Sequence, residues 1–162
     1  MTLLPDATIE EARALLAALE ARGETLATAE SCTGGLIAAA LTAIAGSSSV
    51  VMAGFVTYSN EAKMRMVGVQ EATLAAHGAV SDPVARQMAE GALREAQVDI
   101  ALSCTGIAGP GGATPGKPVG LVFIGCARRG VETLVERHIF PGDRTAVRAA
   151  TVAAALRLAM PE

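Results

Sequence analysis

Aromatic residues are almost missing from this chain of 162 residues, which holds three Phe, one Tyr and no Trp. Its core must therefore be built from Ala, Val, Leu and Ile, with helices packed closely through small side chains. The same shortage removes the stacking surfaces that hold single-stranded nucleic acid. A basic excess is missing too, since the formal net charge is −3. Direct nucleic-acid binding, which needs a basic face, is not expected. No stretch reaches the ~18 consecutive apolar residues of a membrane span, so no membrane association is expected. Met1 to Asp6 offers neither the basic region nor the apolar run of a signal peptide. Cys32, Cys104 and Cys126 form no CxxC pair, and an odd number so spaced predicts reduced thiols and a cytoplasmic location. His77 and His138 fall into no ligand spacing, so neither a metal nor another cofactor is expected.

Lysine is the most informative scarcity. Lys and Arg total 13, yet the only lysines are Lys63, five residues after the single tyrosine Tyr58, and Lys117, beside a glycine-rich loop. Arginine keeps its proton in a protein, whereas a desolvated lysine can act as a base. Lys63 is thus a candidate base, set against the plainer possibility of a solvated helix residue paired with Glu61 or Glu71. A free lysine would have to fall by ~3 units to work near neutral pH, which is within the ~3–5 units that burial supplies.

What is present is a regular alternation of helices and buried strands. A helix capped by Thr8 and ended by Gly23 precedes the extended segment Thr25–Thr28. An apolar helix follows from Leu36, then a strand over Val50–Tyr58 and a short helix from Ser59 or Asn60 to Gly68. Ser81-Asp82-Pro83 starts an amphipathic helix, Val98–Cys104 is a third strand, and Val119–Ala127 with Val131–Phe140 forms a hairpin. Asp143 caps a last helix. The expected fold is α/β, a single three-layer α/β/α domain over residues 1–162 with a mixed β-sheet.

Ligands of such sheets bind at the carboxyl ends of strands. Two strands here run into glycine-rich loops that carry hydroxyls, Ser31-Cys32-Thr33-Gly34-Gly35 and Thr105 to Gly112, and a third ends at Tyr58-Ser59-Asn60. Ser31, at a strand-to-helix junction, suits either a nucleophile or an anion cradle formed by helix N-terminal amides. Glu30 beside it could orient a base, accept a substrate N–H, or bond to loop amides. Gly111 to Lys117 matches the GxxxxGK spacing of a P-loop, but Pro118 stands where Ser or Thr would ligate magnesium and a strand follows in place of a helix. NTP hydrolysis is therefore not expected, although the loop could still bind an anion through its amides.

Six segments in order resemble one known family: Ala29–Gly35, Gly46-Ser47-Ser48, Val56–Lys63, His77–Ser81, Thr105–Gly112 and Lys117–Gly120. They resemble the CinA C-terminal domain family, the nicotinamide-nucleotide amidohydrolases, in the stand-alone form without the additional N-terminal domain of the larger members. The resemblance implies hydrolysis of the carboxamide of nicotinamide mononucleotide to nicotinic acid mononucleotide and ammonia, in pyridine-nucleotide salvage. Joined to the residues, it implies a serine-lysine mechanism: Ser31 attacks, Lys63 takes the proton, and Tyr58 relays it or holds the lysine. Backbone N–H groups of Cys32, Thr33, Gly34 and Gly35, with Thr105, would stabilise the oxyanion. Ser48, Gly106, Gly109, Gly111, Gly112 and Arg144 are candidates for the substrate phosphate. The alternative is a non-catalytic phosphosugar-binding or regulatory module. Ala-rich helices and few surface charges predict a homo-oligomer.

Overall fold

The computed structural model describes residues 4–162; residues 1–3, part of the segment read for a signal peptide, lie outside the described residues. The elements run α1 (Asp6–Arg22), β1 (Leu26–Glu30), α2 (Leu36–Thr42), β2 (Val51–Val56), α3 (Asn60–Val67), α4 (Glu71–His77), α5 (Asp82–Ala96), β3 (Ile100–Gly106), β4 (Leu121–Arg128), β5 (Leu134–Ile139) and α6 (Arg144–Ala159). One five-stranded sheet has the order β2-β1-β3-β4-β5. Its first three strands are parallel, and β4 and β5 join antiparallel as the expected hairpin.

This order positions the site. From β1 the chain moves through α2 to β2 on one side, then returns through α3, α4 and α5 to β3 on the other. The direction of winding therefore reverses at β1, and a crevice opens between the loops that leave the carboxyl ends of β1 and β3. Helices α1, α2 and α6 pack together on one face, where Leu15, Leu19, Ile37, Leu41 and Leu156 meet Leu26, Ile100 and Leu102. Helices α3 and α5 cover the opposite face through Val67, Val84 and Met88, with α4 against α5. The fold is thus the expected mixed α/β/α arrangement.

Small residues set the spacing of the second layer. The strand positions that face α5 include Ala101, Ser103 and Gly125, and the Ser103 hydroxyl donates to the Ala85 carbonyl of α5 at 2.6 Å. A Cβ on Gly91 would fall 1.7 Å from the Val67 carbonyl oxygen, so α3 crosses α5 where α5 has no side chain.

Some boundaries differ from expectation. α1 begins at Asp6 with Pro5 as its N-cap, and Thr8 is buried inside the first turn. Proline before the first turn sacrifices no helical donor, which makes a hydroxyl cap dispensable. The seven-residue α4 buries none of its residues, so it leaves no apolar period to be read. β4 starts at Leu121, later than expected, because Gly120 turns the chain between the Ile107 and Phe140 backbones; β5 starts at Leu134, opposite Cys126. Ser59 and Asp143 do cap α3 and α6, accepting from Ala62 and Ala146 N–H.

Gly91→Ala is expected to destabilise the fold by roughly 1–3 kcal/mol or more, read from urea unfolding. A variant as stable as the parent would show that α3 and α5 separate without cost.

Candidate active site

Ser31 extends β1 by one residue, its N–H donating to the Cys104 carbonyl of β3 at 3.1 Å. The chain then turns: Gly34 N–H donates to the Ser31 carbonyl and Leu36 N–H to the Thr33 carbonyl, both at 3.1 Å. Gly34 and Gly35 take φ of 59° and 108°, the left-handed region that glycine enters without strain. α2 starts only at Leu36, so Ser31 does not stand directly against the helix end.

Glu30 occupies that end instead. Its carboxylate, 1 % exposed, accepts from Ile37 N–H at 2.8 Å and Ala38 N–H at 3.0 Å. The Thr33 and Thr28 hydroxyls donate to it at 2.5 and 3.3 Å. Of the roles open to Glu30, this is the local one. Four donors satisfy a buried anion, and the amides considered for an anion cradle are already taken.

Lys63 and Val67 lie one turn apart on α3 and are its buried residues. The Lys63 ammonium position, 1 % exposed, brings Nζ 3.0 Å from Ser31 Oγ. The same nitrogen donates to the Thr57 and Tyr58 carbonyls at 2.8 and 3.1 Å. A neutral amine has two N–H donors and one lone pair. In that form the two carbonyls would use both donors and the lone pair would face the serine hydroxyl; in the charged form the third N–H donates to Ser31 Oγ. Burial lowers the Lys63 pKa from its ordinary 10.5, opposed in part by the neighbouring Cys104 and Cys32 thiols. All three cysteines are free and buried. The hydrogen bond between Cys104 and Cys32 and the burial of Cys104 hold the Cys104 thiol well above its ordinary range.

A cavity of about 220 Å³ opens over this pair. Ser31, Cys32, Tyr58, Lys63, Thr105, Gly106 and Arg144, all singled out from sequence, reach its lining. Tyr58 enters differently from expectation. Its carbonyl holds Lys63, while its phenol belongs to a side chain 63 % exposed and lies 3.5 Å from an Arg144 nitrogen. Arg144 also donates to the Gly109 carbonyl at 2.9 Å, so it bridges the glycine-rich loop and the mouth of the cavity. The Thr105 hydroxyl donates to the Ala79 carbonyl at 2.8 Å, tying one wall to β3. Ser48 lies in the turn Ser47–Ser49 at the amino end of β2, away from the cavity. Gly109, Gly111 and Gly112 stand outside the lining. A Cβ on Gly109 would meet a Val119 methyl at 2.5 Å, so packing already requires a glycine there. Lys117 donates to the His77 carbonyl at 2.6 Å and pins its loop to the end of α4.

Asn60, Ala79 and Val80 also line the cavity, from the segments Tyr58-Ser59-Asn60 and His77–Ser81 already marked in the sequence; Arg148, which donates to the Cys32 and Thr33 carbonyls at 3.1 and 3.2 Å, lies in none of those segments. The one available signal for Arg148 was its spacing, one helical turn from Arg144.

Known proteins share this architecture. The crystal structure of the competence/damage inducible protein CihA from Agrobacterium tumefaciens superposes with a TM-score of 0.95 at 48% identity, covering 98% of this chain and 96% of that one. Nicotinamide-nucleotide amidohydrolase PncC of Escherichia coli (strain K12) is 56% identical over 140 residues, 86% of this chain and 85% of that protein. A CinA-like protein of Chloroherpeton thalassium is 57% identical over 129 residues, which are 78% of this chain but 31% of that longer protein. The model of the CinA C-terminal domain matches residues 8–162, and the chain belongs to that family.

Proposed function

We propose that this protein hydrolyses the carboxamide of nicotinamide mononucleotide, releasing ammonia and nicotinic acid mononucleotide in pyridine-nucleotide salvage, with Ser31 as nucleophile and Lys63 as base. The 3.0 Å contact between Lys63 Nζ and Ser31 Oγ carries the mechanism, and likeness to the amidohydrolase of Escherichia coli supports the substrate. Lys63 takes the Ser31 proton as Oγ bonds to the amide carbon. The tetrahedral oxyanion then collapses, the C–N bond breaks, and Lys63 returns a proton to the departing ammonia. Water, deprotonated by the same amine, cleaves the resulting ester and restores Ser31.

The other roles follow the contacts. Tyr58 holds Lys63 by its carbonyl, and its exposed phenol beside Arg144 suits the ribose phosphate better than proton relay. Arg144 is the cation at the mouth and the preferred phosphate partner; Ser48 of the same chain has no part. Gly106 and the loop that follows shape the wall. Thr105 acts on the substrate only if its proton leaves Ala79, so the oxyanion falls to backbone amides. Self-association remains part of the proposal, supported by edge strand β2, whose exposed Met52 and Val56 have no charged neighbour within the strand.

Ammonia release from nicotinamide mononucleotide tests the assignment. Ser31→Ala is expected to lose activity by at least about 10³-fold, and undiminished turnover would remove Ser31 as nucleophile. Lys63→Arg keeps the charge but cannot give up a proton, so it should be nearly dead; full activity there excludes the base. The lowered lysine pKa sets the sign of the pH effect: kcat/KM rises with pH as Lys63 becomes neutral and levels off below 10.5. A profile that falls across that acidic limb would sink the base role.

A further inference from the structure

Once the amides taken by Glu30 and by the turn are set aside, few N–H groups remain near Ser31. Gly34 N–H is held by the Ser31 carbonyl and Leu36 N–H by the Thr33 carbonyl. Among the described residues, Cys32, Thr33 and Gly35 N–H have no acceptor; Cys32 lines the cavity, Thr33 follows it directly, and Gly35 stands outside the lining. An N–H on the residue after the nucleophile is well placed to meet an oxyanion. Its aim depends on the peptide plane that carries it, because a planar trans peptide points its C=O and N–H in opposite directions.

Those planes are gripped from behind by α6. Arg148 Nε donates to the Cys32 carbonyl at 3.1 Å and Nη2 to the Thr33 carbonyl at 3.2 Å. Nε and Nη2 form one edge of the guanidinium, so a rigid fork holds two successive carbonyls together. Holding the Cys32 carbonyl turns Thr33 N–H the other way. Holding the Thr33 carbonyl directs Gly34 N–H, which bonds to the Ser31 carbonyl and thereby fixes Cys32 N–H. Three consecutive peptides are thus set by one side chain more than 110 residues downstream in sequence.

We infer that Arg148 is a positioning residue for the reaction: its fork on the Cys32 and Thr33 carbonyls aims the Cys32 and Thr33 N–H groups at the oxyanion formed on attack by Ser31. The inference rests on the nucleophile assignment made above. It requires no contact between Arg148 and substrate, so the effect belongs to the transition state and not to binding. It also requires the fork and not merely the charge, because a lysine at this position offers a single nitrogen on a flexible stem in place of two donors fixed in one plane.

The test is Arg148→Lys, assayed beside the parent and Ser31→Ala. Arg148→Lys should lose about 10–100-fold in kcat, a fraction of what loss of a whole oxyanion donor costs. KM for nicotinamide mononucleotide, the acid limb of the pH profile and the melting temperature should hold. Binding of the 3-aldehyde analogue of the substrate, whose Ser31 adduct carries the oxyanion, should weaken by the same factor as kcat. If kcat and aldehyde binding both stay within about twofold of the parent, the inference is overturned; it is equally overturned if the loss shows only as a higher KM. Should Arg148→Lys fold poorly, Arg148→Ala with added guanidinium ion decides: recovery of kcat supports the role, and no recovery overturns it. Undiminished turnover by Ser31→Ala would remove the nucleophile itself, and the inference with it.

Discussion

The buried amine of Lys63 is the constraint around which the site is arranged. A lysine nitrogen removed from water must find partners or give up its proton more readily; here it finds three partners, and burial lowers its pKa. The Thr57 and Tyr58 carbonyls are available because β2 ends at Val56 and the chain bends into α3, leaving those groups outside the ladder. Ser59 then caps α3, which fixes the turn on which Lys63 sits. The third partner, Ser31, arrives from β1 because β1 pairs directly with β2. Topology therefore brings Ser31 and Lys63 together before any loop has to be specified.

Opposite charges hold the two ends of the segment from Glu30 to Ala38. Glu30 binds the amides of α2 from below, and Arg148 binds the carbonyls of the intervening turn from α6. The turn contains two glycines with positive φ and would otherwise have wide conformational freedom. Glycine lets the chain take those angles without strain, and the charged clamps remove the mobility that glycine brings.

The sequence made much of this visible, for identifiable reasons. Ser31 stood out because glycine and hydroxyl residues interrupt an apolar alternation, and Lys63 because arginine serves nearly everywhere else. The α/β alternation and the caps at Ser59 and Asp143 are local patterns, and local patterns survive folding. Thr8 misled because a hydroxyl before an apolar stripe resembles a cap, whereas Pro5 had already started the helix. Helix α4 escaped because it has no buried face. Glu30 could not be resolved among its roles, since its partners Ile37 and Ala38 are decided by how the turn closes. Arg148 acts on residues 115 and 116 positions away, and its spacing from Arg144 marks a shared helix face without pointing to that contact. Ser48 shows the converse: a family motif segment can sit at the far end of the sheet from the cavity of its own chain.

The cap on α2 bears on what happens after chemistry. In the proposed reaction an amide becomes a carboxylate at the very place where the substrate was neutral. An uncapped helix end beside Ser31 would have offered that new anion a tight resting place. With Ile37 and Ala38 already bonded to Glu30, the departing acid meets a helix whose positive end is neutralised by a buried negative charge. Lys63 and the free amides after Ser31 remain beside the acid, and a lysine that returns to its neutral form holds it weakly. The residue that shapes the turn after Ser31 thus also removes one tight resting place for the product.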